Sequence, residues 1–280
     1  MPLDNIAQLI AAGFARGQTA KLNSGGYPMG LTGSLSAGAA VGLYDVQGVQ
    51  TANVQIPQAE KTTVMGNNQV MAAFLWPPGD TPEWDMDCAV IDMDLAAAAE
   101  NVKVRELDKW NIHPIAAQDL VYDTMLLLLS TNAQSKDAGS DGLDLWYNLL
   151  IPRVQMAYLG PAGLNMRGEN LARYHCIVSP TSLFPWGVSM DLDTDGTTRA
   201  PILEWTSEYK ITLDTIALEA ATAEITLAYT PAMDTVTAGS GILGFSDGSP
   251  ITLSSVTPGT KVCAFTAPGV STGVFLYEHL

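Results

Sequence analysis

The chain predicts a mainly β protein: an antiparallel β-sandwich or barrel with a short flanking α-helix, an extended N-terminal arm and a β-rich C-terminal extension. Three observations carry this. Of 280 residues, 47% are hydrophobic and only 15% charged, enough to supply a large core without staples. The apolar residues recur mostly at period two, the spacing of half-buried strands. The segment from Pro231 to the C-terminus is rich in Thr, Ser and Gly and carries strand-sized apolar runs.

Residues 1–42 read as a helix and an arm. Ile6, Leu9, Ile10 and Phe14 stand at helical spacing, with Asp4 placed to cap and Gly13 and Gly17 eroding the end, which predicts a helix over Leu3 to Ala15. From Leu22 to Gly42 the chain is Gly-, Ser- and Ala-rich and has too few large side chains to fold alone, so it reads as an arm ordered by a neighbour.

Residues 43–230 read as the main β domain with one helix. In Trp84 to Val90, the residues Trp84, Met86, Cys88 and Val90 share one face and Asp85 and Asp87 the other, a strand with one wet side. The alternation returns at Glu208 to Leu213, where Tyr209, Ile211 and Leu213 oppose Lys210 and Thr212. It returns again at Glu224 to Tyr229, where Ile225, Leu227 and Tyr229 oppose Glu224 and Thr226. Asp94 followed by four alanines after Leu95 predicts a capped short helix reaching Glu100. Ala133 to Gly142 reads as a polar loop, and Leu143 to Tyr158 as an apolar stretch containing Pro152. Residues 231–280, with runs at Ile251 to Leu253, Val262 to Phe265 and Val274 to Tyr277, form either a small β appendage or an extension of the main sheet.

Charge narrows the function classes. Lysine plus arginine number 13 against 29 aspartate plus glutamate, a formal charge of −16, so most of the surface repels nucleic acid and counterion-releasing DNA binding is disfavoured. Cys88, Cys176 and Cys263 are odd in number, widely spaced and set in apolar runs, the pattern of buried free thiols in a reducing cell. Met125 to Leu129 is far short of a membrane span, and Asp4 without a basic stretch gives no secretory signal, so the expectation is a soluble, cytoplasmically made chain with no membrane partner.

The chemical candidates are weak. Asp191-Leu-Asp193-Thr-Asp195-Gly196 matches the first half of an EF-hand loop, but the twelfth position is Ile202, so a hairpin turn is the simpler reading and no metal is expected. His113, His175 and His279 are scattered, and His175 beside Cys176 would point to the opposite face of a strand. Asp92 with Asp94, or Asp85 with Asp87, have the spacing of a glycosidase pair, yet carboxylates on a wet strand face are the ordinary case. Tryptophans 76, 84, 110, 146, 186 and 205 offer a sugar platform or, in strand contexts, core and interface anchors. No nucleophile elbow or phosphate-binding glycine loop occurs, so the expectation is no catalytic residue, no cofactor and no enzyme activity.

The stretch Gly66 to Trp110 resembles the tail tube proteins of long-tailed bacteriophages in its layout. A glycine-asparagine turn precedes an aromatic strand and a Pro-rich turn; a strand ending Val-Ile-Asp-Met-Asp, an alanine helix, Lys-Val-Arg and a tryptophan follow. Gln134 to Trp146, Ile151-Pro152, Leu159 to Gly163 and Arg173 through Phe184-Pro185-Trp186-Gly187 resemble the same family's later strands. The resemblance implies a β-sandwich flanked by a helix, copies joined in hexameric rings, rings stacked into a virion tail with other tail proteins, and genomic DNA passing through without tight binding. An acidic bore would keep a polyanion from adhering. The N-terminal helix and the Thr/Ser-rich end depart from the family. A capsid decoration or adaptor protein, and a β-sandwich carbohydrate-binding module or hydrolase, are the alternatives.

Overall fold

Alternation makes strands whose two faces see different surroundings, and most of the described residues lie in strands. The computed structural model describes residues 9–11, 16–22, 28, 43–52, 60–66, 69–76, 82–102, 105–107, 110–112, 124–135, 144–162, 171–178, 202–207, 209–218, 224–232, 242–246, 249–251, 253–265 and 271–279. Over these the protein is mainly β. The first elements are β1 (Leu9–Ala11), β2 (Arg16–Lys21), β3 (Leu43–Val46), β4 (Val49–Ala52), β5 (Glu60–Gly66), β6 (Gln69–Trp76), β7 (Glu83–Cys88) and α1 (Met93–Ala99). Then come β8 (Arg105–Leu107), β9 (Trp110–Ile112), β10 (Thr124–Ser135), β11 (Asp144–Ala162), β12 (Leu171–Val178), β13 (Leu203–Ser207) and β14 (Lys210–Leu218). The last are β15 (Glu224–Thr226), β16 (Ile242–Ser246), β17 (Ser249–Ile251), β18 (Leu253–Thr257), β19 (Val262–Phe265) and β20 (Ser271–His279).

The large sheet is antiparallel and runs β3-β2-β10-β11-β12-β7-β4, with β1 beside β10 and β13 beside β11. Its end strands are β3 and β4, and only Gln47 and Gly48 separate them. Val46 and Val49 therefore lie within about 11 Å, three trans-peptide steps, so the sheet curls until its ends approach each other. Gly48, at φ +66°, makes that corner, and its carbonyl accepts from Ala89 N–H at 2.7 Å. Gly17 allows the tight packing of β2: a Cβ there would stand 2.9 Å from Val46 Cβ and 3.0 Å from Leu129 Cδ2. β12 and β13 follow one another along the same edge of β11, parting around Ile151 to Arg153, where Pro152 has no N–H to give.

Inside the curl sit Trp84, Met86, Cys88, Met125, Leu127, Leu129, Ile151, Val154, Met156, Tyr174 and Cys176. α1 packs into this core through Leu95, Ala96 and Ala99. The Asp92 carboxylate caps it, accepting from Asp94 N–H at 2.9 Å and Leu95 N–H at 3.1 Å. The helix ends as a Schellman motif: Val102 N–H donates to Ala97 O and Asn101 N–H to Ala98 O, with Asn101 left-handed at φ 53°.

The C-terminal part adds two layers. β14-β20-β16-β17 form one sheet and β15-β19-β18 another. Phe275 and Tyr277 of β20 pack against Ile225, Leu227, Val256, Cys263 and Phe265. The opposite face of β20, with Val274 and Leu276, is also buried and shares its side with Leu213 of β14 in the register. Both faces of β20 are thus covered, and Gln18 of β2 reaches the Leu213 main chain at the edge of β14. β10 reads as an unbroken apolar run because Leu126 and Leu128 are buried on its outer face as Leu127 and Leu129 are on its inner one.

Several expectations change. Leu9–Ala11 is a strand paired to Ala133–Ser135, where helical spacing predicted a helix from residue 3 to 15; the remainder of that helix, and the arm apart from Leu22 and Pro28, lie outside the described residues. A long-range partner decides the state of so short a segment. Ala133 to Ser135 accordingly belong to β10 and not to a loop. Strands on the two sides of residue 230 share sheets: β14 pairs with β20 and β15 with β19. Thr212, expected on a wet face, is fully buried.

Candidate assembly surface

On the outer side of β7, β12 and β11 the register sets side chains in rows. Asp87 opposes Arg173, Asp85 opposes His175, and Glu83 opposes Ile177. The β7 burial pattern alternates as its sequence predicts, with Trp84, Met86 and Cys88 inward. Arg173 grips Asp87 with two prongs, Nε to Oδ1 at 2.7 Å and Nη2 to Oδ2 at 3.0 Å. Hydrogen bonding to Asp87, and then its charge, push the guanidinium further above its ordinary value. His175 Nδ1 lies 2.9 Å from Asp85 Oδ1, and its Nε2 3.9 Å from Glu83 Oε2. The result is an acidic column along β7, answered on β12 by one arginine and one histidine. The adjoining β11 positions Gln155, Ala157 and Leu159 carry no charge.

The carboxylate pairs considered for catalysis have structural tasks. Asp85 and Asp87 are held in this ladder, and Asp92 caps α1 while its carbonyl accepts from the Tyr174 hydroxyl at 3.4 Å. The cap is Asp92 and not Asp94, because the helix begins two residues earlier than expected, at Met93. His175 is half-exposed and Cys176 fully buried, on opposite faces as strand geometry requires. His113 and the Asp191 to Asp195 loop lie outside the described residues.

All three cysteines are free and buried. Burial pushes the Cys88 thiol up to about 12, with Asp87 adding to it, and the Cys263 thiol up to about 11. It raises Cys176 in the same direction. Thiols so held stay neutral, the opposite of the depressed values that make a cysteine nucleophilic. Tyr277, raised mainly by burial, donates to Asp214 Oδ2 at 3.2 Å and accepts from Tyr229 N–H at 3.1 Å, tying the segment after β15 to β20. Trp84 is a core residue, 2% exposed, and Lys210 stands 5.1 Å over the Trp146 ring, so neither is a bare sugar platform. The side chains of the other four tryptophans lie outside the described residues.

The apolar side chains left outside are the larger surprise. Val90 was expected to join the core face of its strand; β7 instead ends at Cys88, and Val90, Ile91 and Met93 stand exposed at the corner leading into α1. Leu159 is exposed on β11, where the register slips between Tyr158 and Gly160 and Gly160 takes φ +90°. Tyr229, also expected to face inward, lies beyond the end of β15 and is exposed. Periodicity alone could not find these positions, because each depends on where a strand stops or bulges.

No protein-family model matches the chain, and no curated protein matches it.

Proposed function

We propose that this chain is a virion structural subunit that joins further copies into rings, which stack into the tube of a phage tail and conduct genomic DNA along an acidic bore. The observation that carries the reading is the bare corner of Val90, Ile91 and Met93 on a chain whose formal charge is −16. Such a chain repels nucleic acid at long range and yet offers apolar contact to a neighbour at short range. The corner lies within Gly66 to Trp110, the stretch that resembles tail tube proteins, and directly follows the acidic column of β7. A mainly β, curled sheet with a helix against it is consistent with the architecture that the resemblance implies.

Electron microscopy of the purified full chain tests the reading. Closed rings, or tubes made of stacked rings, are the expected result. Isolated particles that bind a polysaccharide or turn it over would replace it with the carbohydrate-active alternative, and attachment to a preformed capsid lattice without rings would replace it with the decoration alternative.

A further inference from the structure

We draw no further inference here: the strongest candidate, the exposed apolar corner of Val90, Ile91 and Met93 between β7 and α1, already belongs to the proposed assembly surface, and nothing in the structure shows what covers it.

Discussion

The side-chain amide of Gln18 takes both main-chain groups of Leu213. Leu213 N–H donates to Oε1 at 2.9 Å, and Nε2 donates to the Leu213 carbonyl at 3.2 Å, 195 residues apart in sequence. Gln18 is 2% exposed, and its amide substitutes for one rung of a β-ladder between β2 and β14. The curled sheet and the C-terminal layers are therefore joined by a polar contact inside an apolar interface.

Removing that amide orphans the buried Leu213 N–H and leaves its carbonyl the donation from Thr212 Oγ1 at 3.3 Å. Gln18→Met is expected to cost about 1–3 kcal/mol, the penalty of one orphaned buried donor. Gln18→Glu is not expected to rescue it, because the donor to Leu213 is lost and a charge is buried beside Asp45, which Gln18 Nε2 approaches at 3.3 Å. Urea unfolding at neutral pH measures both.

The ends of α1 give a second test. Asp92→Ala is expected to lose about 1 kcal/mol with the cap, whereas Asp92→Asn keeps an equivalent acceptor and stays close to the parent. At the other end Asn101 holds a left-handed conformation, so Asn101→Gly is expected to be neutral or stabilising by up to about 1 kcal/mol and Asn101→Ala destabilising. Thermal melts of the four variants decide this, and a loss with Asp92→Asn equal to that with Asp92→Ala would contradict the capping role.

Alkali should loosen the protein through its thiols. Cys88 and Cys263 move from an ordinary 9.0 to about 12 and about 11 on folding. Above pH 9 the unfolded chain has released protons that the folded chain still holds, so stability falls with rising pH. The contribution is whole below pH 9.0 and is lost as pH climbs through about 11 for Cys263 and about 12 for Cys88. Each thiol takes up to about 1.4 kcal/mol per pH unit within its window. Urea midpoints measured from pH 8 upward should decline, and Cys88→Ala should flatten the slope. A thiol reagent should find no reactive cysteine in the folded protein and all 3 after unfolding.

Much of the fold was legible because burial and alternation coincide where a strand has one wet face. The β7 pattern, the strand at Val262–Phe265 and the alanine helix all follow from local sequence. Legibility failed where a distant partner decides. Leu9–Ala11 is a strand because Ala133–Ser135 offers it an edge, and Thr212 is buried beside Leu213, whose main chain Gln18 of β2 reaches. The candidate surface was half visible: Asp85 and Asp87 were placed on the wet face of β7, but their partners Arg173 and His175 come from a strand more than eighty residues away. Val90 and Leu159 surfaced only once the end of β7 and the bulge in β11 were known.

The proposed assembly requires that identical copies close upon themselves. Native mass spectrometry of the full chain measures that directly. Discrete closed species at one fixed multiple of 29.7 kDa, growing by whole rings as concentration rises, are the predicted result. A single species at 29.7 kDa at every concentration would contradict it.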